Sequence, residues 1–238
     1  NVKYSYIGKV PNGASELPAE GTYKQGDEVT VAPNASAPGY TFSGWSRTGS
    51  FEMPGENIEI TGSFTARTDT PYKVEHYLED LNSDNFTLIK TDNLTGTTDT
   101  EVTAEEREYE GFTFDNSING TVQSGYISGD GNLTLKLYYT RNSYTVSYAY
   151  QGNVPTGANS VPTSTSYEYG AEVTVAPDAT APGYTFSGWS RTGTFTMPAE
   201  DVEITGNFTA KANTPYKVEH YTKDLRYAPQ KQFQFRHP

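Results

Sequence analysis

The chain has 238 residues, a formal net charge of −12 and no cysteine. Without cysteine it can form neither a disulfide framework nor a cysteine metal site or nucleophile. Its negative charge opposes nucleic-acid binding, which requires clustered Lys and Arg. No apolar run approaches the ~18 residues of a membrane span, and the N-terminus lacks a signal-peptide pattern. If the protein is exported, we expect this chain to be a segment of something longer.

The first predicted unit is module A1 (1–67), built around GYTFSGWSRTG at 39–49. The same eleven residues recur at 183–193, and these two stretches contain both tryptophans of the chain. Around them, residues 29–66 match 173–210 at 30 of 38 positions without a gap. A repeat of this extent indicates a duplicated building block rather than a single active site.

Module B1 (68–140) follows, and it begins with TPYKVEHY at 70–77. Thr103, followed three residues later by Glu106, resembles a capping box and predicts a short helix over 103–110. These residues belong to EVTAEEREYE, the densest acidic run, which we interpret as a solvated face or a short acidic helix. Residues 128–132, SGDGN, contain the Asp-Gly pair of a tight hairpin turn, and NLTLKLYYT after it alternates as a strand does.

Module A2 (141–211) repeats A1 at a constant offset of 144. YTVSYAY (144–150) and VEITGNF (202–208) alternate with a period of two, which predicts half-buried strands. MPGEN in A1 and MPAED in A2 each predict one short turn entered through a proline. Residues 212–238 begin a second B module with TPYKVEHY, but the match ends after Leu225 and the tail carries no repeat pattern.

These elements predict a mainly β or α+β fold, with four or five strands and one short helix or helical turn in each module. Such small modules are marginally stable alone and gain stability from their neighbours in an array. The connections between modules are short and contain no Gly-Ser tract. We therefore expect a semi-rigid, elongated array rather than beads on flexible tethers.

Module A, with GYTFSGW followed by F-x-MP and ITG-x-F, resembles the Listeria–Bacteroides repeat, also called the internalin B-repeat class. Module B, with YKVEHYLED, LTG, GFTFDNSINGTVQSG and NLTLKLYY, is similar to the mucin-binding-protein (MucBP) repeat class. The resemblance covers almost all of residues 1–225. It implies small β-grasp-like (ubiquitin-like) folds in tandem, on exported surface proteins mostly of Gram-positive bacteria.

Two functions follow from this resemblance. The first is an extended stalk or spacer in a cell-surface adhesin, attached to the cell wall through parts of the parent protein absent here. The second is an adhesive module that itself binds host mucin, a glycan or a surface protein. In both, the neighbouring repeat modules are partners, and nucleic acid and membrane insertion of this segment are not expected.

The histidines do not predict a catalytic site. His76 and His220 occupy the same position in two B copies, and His237 lies in the unmatched tail. His76 shares its strand face with Val74 and Leu78, which favours a partly buried structural imidazole over a catalytic base. We expect no enzyme, no catalytic residue and no cofactor.

Two further groups of residues have side chains suited to binding. Asp80, Asp84 and Asp92 could contribute to a calcium site, but they lack EF-hand spacing, and we predict no metal site. Trp45 and Trp189 could stack on sugars, but a ring at the same place in each module favours a core role. We expect the arginines that follow them, Arg47 and Arg191, to cover the indoles. The ligand-binding residues stay unknown at this point.

Overall fold

The computed structural model describes residues 1–222, which form seventeen strands and no helix. The mainly β prediction is therefore confirmed. Within 1–222 there is no helix to supply the α element that the β-grasp expectation requires, and none that could cross a membrane. The unmatched tail at 226–238 and His237 lie outside the described residues.

Module A1 contains five strands arranged in a three-stranded sheet and a two-stranded sheet. They are β1 (Val2–Ile7), β2 (Glu28–Thr30), β3 (Tyr40–Phe42), β4 (Ser50–Glu52) and β5 (Ile58–Ala66). The larger sheet has the order β1-β5-β3, and β2 pairs with β4. The alternation of apolar and polar residues in β5 buries Ile58 and Ile60 against β1, so the strand period predicted from the sequence places the core.

Module B1 contains six strands, and its main sheet has four of them. They are β6 (Thr70–Glu79), β7 (Phe86–Gly96), β8 (Glu101–Thr103), β9 (Phe112–Phe114), β10 (Ser124–Tyr126) and β11 (Thr134–Arg141). The main sheet has the order β7-β6-β11-β9, and β8 pairs with β10. Leu135, Leu137 and Tyr139 of β11 form the centre of a separate core, as the alternation of NLTLKLYYT predicts.

Module A2 repeats the strand pattern of A1 with one additional strand. Its strands are β12 (Ser143–Gln151), β13 (Thr165–Glu168), β14 (Glu172–Thr174), β15 (Tyr184–Phe186), β16 (Thr194–Thr196) and β17 (Val202–Ala210). The sheets have the orders β13-β12-β17-β15 and β14-β16. The strands predicted over 144–150 and 202–208 are confirmed as β12 and β17.

In A1 and B1 the first and last strands run parallel to each other. β1 pairs with β5 from Val2↔Ile58 to Ile7↔Ser63, and β6 pairs with β11 from Lys73↔Thr134 to Leu78↔Tyr139. Two parallel strands point the same way, so the chain enters each module at one end of the sheet and leaves at the other. The connections are only three residues long between β5 and β6 and one residue long between β11 and β12.

Compactness divides the chain into two units. The first contains Asn1–Ser147, Ser164–Val175 and Gly193–Glu203, and therefore includes A1, B1 and part of A2. The second contains Tyr148–Thr163, Ala176–Thr192 and the described residues from Ile204. These limits differ from the repeat boundaries, which stay a prediction from the sequence.

The helix predicted over 103–110 is wrong. Thr103 ends β8, and no helical residue follows it within this range. Distant acceptors take its backbone donors: Ala104 N–H donates to Gln123 O at 2.8 Å, and Arg107 N–H donates to Tyr139 Oη at 3.0 Å. A buried Ala104 holds the segment against the sheet, and the acidic side chains around it are exposed, as the solvated-face interpretation expects.

Three predicted turns also differ from expectation. MPGEN and MPAED form bends without helical geometry, and each begins with a buried methionine, Met53 or Met197. SGDGN does turn, with Gly131 N–H donating to Ser128 O at 2.9 Å. It is not a hairpin, however, since β10 before it pairs with β8 while β11 after it pairs with β6 and β9.

The two copies of TPYKVEHY adopt different structures. Residues 70–77 form most of β6, which lies between β7 and β11. Residues 214–221 form no strand, and Tyr216 is 88% exposed. No described strand pairs with the second copy, so its backbone lacks the ladder that a strand requires.

Candidate functional site

Both tryptophans lie in module cores rather than on binding surfaces. Trp45 is 5% exposed and Trp189 is 6% exposed. The core interpretation is confirmed, although each ring lies three residues beyond its YTF strand rather than at the strand end. Each indole Nε1–H donates to a backbone carbonyl, Trp45 to Pro33 O at 2.9 Å and Trp189 to Pro177 O at 3.0 Å. The indoles therefore have no free polar edge to offer a ligand.

The aromatic rings around each tryptophan repeat almost atom for atom. Trp45 stacks on Tyr6 with ring centroids 5.7 Å apart and 11° between planes, and Trp189 stacks on Tyr150 at 5.6 Å and 9°. Arg47 does not cover the indole as expected, since its guanidinium lies over the Phe51 ring, 4.8 Å from the centroid. Tyr4, Tyr6 and Phe42 are the rings that pack against the Trp45 indole.

The core of module B1 contains a buried polar side chain, His76, which is only 1% exposed. Its Nδ1 lies 3.2 Å from Tyr139 Oη, and its Nε2 lies 3.3 Å from Asp92 Oδ2. Asp92 also pairs with Arg107 at 2.8 Å. Because the Tyr139 oxygen accepts a hydrogen bond from the Arg107 amide, its proton is available for Nδ1, which leaves the proton of neutral His76 on Nε2, facing Asp92. This is a structural network and not a nucleophile with its base.

We predict that acid destabilises B1 through this histidine. Burial lowers the pKa of His76 below its ordinary value of 6.5, against the opposing attraction of Asp92 and with small repulsions from Arg107 and Lys90. Below pH 6.5 His76 is protonated in the unfolded chain but stays neutral in the folded module. The free energy of unfolding therefore falls as the pH drops towards the pKa of His76 in the folded state. Hydrogen exchange of the Val74 and Leu135 amides should show lower protection at pH 5 than at pH 7, after correction for the intrinsic exchange rate.

His76→Asn is the control for that measurement. It should lower stability at pH 7 and flatten the change between pH 7 and 5, because the remaining described histidine, His220, is exposed. An equally steep pH dependence in the variant would contradict the assignment to His76.

The structure does not bring together the three aspartates considered for calcium. Asp92 lies opposite Val74 in the β6–β7 ladder, whereas Asp80 and Asp84 lie in the connection between these strands. Asp80 accepts from Thr87 Oγ1 at 2.7 Å, and Asp92 is taken up by Arg107. Within residues 1–222, no group of three or more His, Asp or Glu side chains is arranged to hold a metal ion.

The A1–B1 junction is the most specific assembly of polar groups in this part of the chain, and sequence reasoning missed it. Thr98 is buried and its Oγ1 donates to Gly39 O at 2.8 Å. Because this hydrogen bond uses the only hydroxyl proton of Thr98, its Oγ1 accepts a hydrogen bond from Thr70 Oγ1 at 2.7 Å. Thr98 N–H donates to Arg67 O at 3.0 Å. Through its side chain and its amide, Thr98 thus connects Gly39 and Arg67 of A1 to Thr70 of B1.

Two glycines allow the two backbones to touch at this junction. A Cβ added to Gly129 would lie 2.1 Å from Pro38 O, and one added to Gly39 would lie 2.4 Å from Gly129 Cα. Gly39 also has a φ of +73°, which side chains rarely adopt. Neither position therefore tolerates another residue without moving one module away from the other.

A surface ion pair borders the same contact. Lys9 of A1 lies 2.7 Å from Asp99 of B1, and Tyr40 also donates to Asp99. The hydrogen bonds from Lys9 and Tyr40 lower the pKa of Asp99, so the carboxylate is charged at neutral pH. Because the Lys9 and Asp99 side chains are largely solvated, this ion pair contributes little to the stability of the junction, and salt weakens it further.

The contact between B1 and the part of A2 in the same unit depends on Arg141. Its Nε donates to Glu79 O at 3.0 Å and its Nη1 donates to Tyr169 O at 2.8 Å. Its guanidinium also lies over the Phe112 ring, 4.8 Å from the centroid. Phe112 packs edge-on against Tyr169 with centroids 5.9 Å apart. A planar cation with five donors can bind two carbonyls and a ring face at once, which lysine cannot.

The junctions left a weak signal in the sequence. Gly39 and Gly183 begin the repeated GYTF, and in both copies the glycine carbonyl accepts from the residue 28 positions later, Arg67 N–H at 2.9 Å and Lys211 N–H at 2.8 Å. Repetition of this glycine is compatible with a backbone requirement, but the sequence does not indicate that Gly129 is its partner. Only the structure shows that Gly39 and Gly129 allow the backbones of A1 and B1 to touch.

Comparison with known families identifies the A modules. The model of the family described as divergent InlB B-repeat domain matches residues 8–68 and 144–212, which together are more than half of the chain. The chain belongs to the divergent InlB B-repeat family. Both B-repeat domains of the match coincide closely with A1 and A2, so the duplicated tryptophan cores are the cores of B-repeats. No curated protein matches the chain.

Solved structures similar to this B-repeat chain share little sequence with it. The Bacillus anthracis TIE protein has 10% identity and a TM-score of 0.34, over 76% of this chain and 41% of that chain. Mub-RV has 14% identity and a TM-score of 0.21, over 60% and 99%. Domains 3–4 of the Streptococcal High Identity Repeats in Tandem of a cell surface protein have 13% identity and a TM-score of 0.20, over 87% and 93%. The chain thus spans about two fifths of the TIE chain.

Proposed function

We propose that this chain is a non-catalytic repeat region of an exported bacterial surface protein, and that it acts as an extended stalk or spacer in an adhesin. The parallel pairing of first and last strands carries this proposal, because it moves the chain from one end of a module to the other. Modules joined in this way add length with each repeat. The matched family is a surface-repeat family and not an enzyme family, which supports a non-catalytic role.

The junctions support a spacer of limited flexibility. A1 and B1 touch through backbone at Gly39 and Gly129, and Thr98 bonds across the contact. Arg141 links B1 to Tyr169. We propose the boundaries 1–67, 68–140 and 141–211 for the three modules, with 212–238 as the start of a second B module and its tail. An extracellular position at the cell wall is part of the same proposal.

Small-angle X-ray scattering tests the stalk. A compact globule of this length has a radius of gyration of roughly 18 Å. We expect a value above about 25 Å for the extended monomer, measured by extrapolation to infinite dilution. A value near that of a globule would overturn the stalk.

A second candidate, direct adhesion, is favoured by the surface beside the A1–B1 junction. A cavity of about 630 Å³ lies there, with Tyr126, which is 65% exposed, and Val10 on its lining. Exposed aromatic faces beside polar groups suit glycans or protein ligands. In this role the partner would be host mucin, a glycan or a surface protein.

Binding to immobilised mucin and a glycan panel tests adhesion, with Tyr126→Ala as the site variant and Tyr23→Ala as the control. Adhesion at the junction predicts saturable binding at physiological salt that is lost only in Tyr126→Ala. Absence of binding would remove this candidate and leave the spacer. Equal loss in both variants would place the ligand elsewhere.

A further inference from the structure

The longest strand of the described chain, β7, lies at the edge of its sheet. Ten of its eleven residues pair with β6, and β7 has no other partner among the described residues, so the other side of its backbone is unpaired. Leu88 is 44% exposed and Leu94 is 42% exposed on this strand. A long edge strand with exposed apolar side chains is a template for pairing with another strand.

The centre of β7 is self-complementary in charge about Thr91. Lys90 precedes Thr91 and Asp92 follows it. If two copies of the strand pair antiparallel around a two-fold axis through Thr91, each Lys90 lies opposite the Asp92 of the other copy, in addition to the Lys90 and Arg107 that this carboxylate already meets in its own copy. Opposite charges placed directly across an antiparallel pair stabilise it.

The bulge in β7 leaves this central pairing intact. The register between β6 and β7 shifts between His76 and Tyr77, with Lys90 opposite the first and Leu88 opposite the second, so Ile89 is the extra residue. Lys90, Thr91 and Asp92 lie on the regular side of it. Leu88 and Leu94 flank the trio on opposite faces of the sheet, and a neighbouring strand would shield each of them in part.

We propose that β7 is an interface between two copies of this chain, joined by antiparallel pairing of the two β7 strands around Thr91. Self-complementarity selects this occupant, because only a second β7 brings Lys90 opposite Asp92 twice. Around a two-fold axis the same residues form the interface in both copies, so both β7 strands gain the same contacts. The four-stranded sheet of B1 becomes one side of an eight-stranded sheet. Stalks would then associate side by side, which goes beyond a spacer role.

Charge reversal at the axis tests the pairing, by sedimentation at 0.15 M salt, where long-range repulsion between acidic chains is screened. Dimers of the wild-type protein should become detectable as its concentration is raised to about 1 mM. Thr91→Lys alone and Thr91→Glu alone place like charges across the axis and should stay monomeric, and an equimolar mixture should recover dimers. Thr41→Lys, on the exposed edge strand β3, is the matched control and should dimerise as wild type does.

A single cysteine gives a second, independent measurement, since the chain has none of its own. Opposite Cα atoms in an antiparallel pair lie about 4.5–5.5 Å apart, within the range of a disulfide. Thr91→Cys should therefore oxidise to a covalent dimer more than tenfold faster than Thr41→Cys. Monomeric wild-type protein at the highest concentration, failure of the Lys and Glu variants to recover dimers when mixed, or equal oxidation of the two cysteine variants would each overturn the proposal.

Discussion

Trp45→Ala is expected to unfold module A1 and to leave A2 folded. The indole is buried, stacks on Tyr6 and meets Tyr4 and Phe42 edge-on with centroids 4.9 Å away. Removing a buried tryptophan costs about 3–5 kcal/mol, which is from about a third to all of the roughly 3–10 kcal/mol that stabilises a domain of this size. The core of A1 is separate from that of B1, so the loss stays local.

The duplicated module supplies the measurement and its control. In Trp45→Ala the remaining tryptophan, Trp189, reports on A2 and should show a thermal transition at the wild-type temperature. Hydrogen exchange at Ile60 should show loss of A1. Trp189→Ala should give the converse result, and Tyr126→Ala, a change at an exposed ring, should leave both modules stable. If Trp45→Ala lowered the transition temperature that Trp189 reports, the modules would not be independent folding units.

Gly129→Ala is expected to separate A1 from B1 without unfolding either. The added methyl group would lie 2.1 Å from Pro38 O and 2.7 Å from Pro38 C, which are backbone atoms that cannot rotate away. Overpacking of this kind costs about 1–3 kcal/mol, and opening the junction relieves it at the loss of the contacts made by Thr98. The Thr98 amide, which donates to Arg67 O, should therefore lose its protection from hydrogen exchange.

Gly55→Ala is the matched control for the junction. Its added methyl group would lie 3.7 Å from the end of the Gln25 side chain, an ordinary contact. NMR relaxation should show A1 and B1 tumbling together in wild type and in Gly55→Ala, and separately in Gly129→Ala. Unchanged protection of Thr98 in Gly129→Ala would show that the junction does not depend on this close approach.

Short-range pattern was enough to predict the cores and several of the strands, although B1 and A2 each have six strands where four or five were expected. Alternation in YTVSYAY and NLTLKLYYT placed β12 and β11, because successive side chains of a strand point to opposite faces. Duplication of GYTFSGW indicated that Trp45 and Trp189 are core residues, since each module must bury its own apolar surface. The same pattern identified the repeats that the family match confirms.

Contacts between distant residues decided the features that were predicted wrongly or not at all. The capping pattern at Thr103 favours a helix locally, yet Gln123 and Tyr139 accept the backbone donors of Ala104 and Arg107 instead. Arg47 was expected on the indole beside it in sequence and lies over Phe51. The A1–B1 junction joins residues about 30 to 90 positions apart, a separation that carries no periodic signal.

TPYKVEHY shows the division between sequence and tertiary structure within a single chain. By itself the sequence determined the strand propensity of this segment, the repeat of the modules and the residues that fill each core. Tertiary structure decided whether the propensity is realised: residues 70–77 form β6 between two partner strands, and the identical residues 214–221 form no strand. The physical reason is that strand hydrogen bonds join separate segments, so a strand exists only where another segment supplies the second half of each bond.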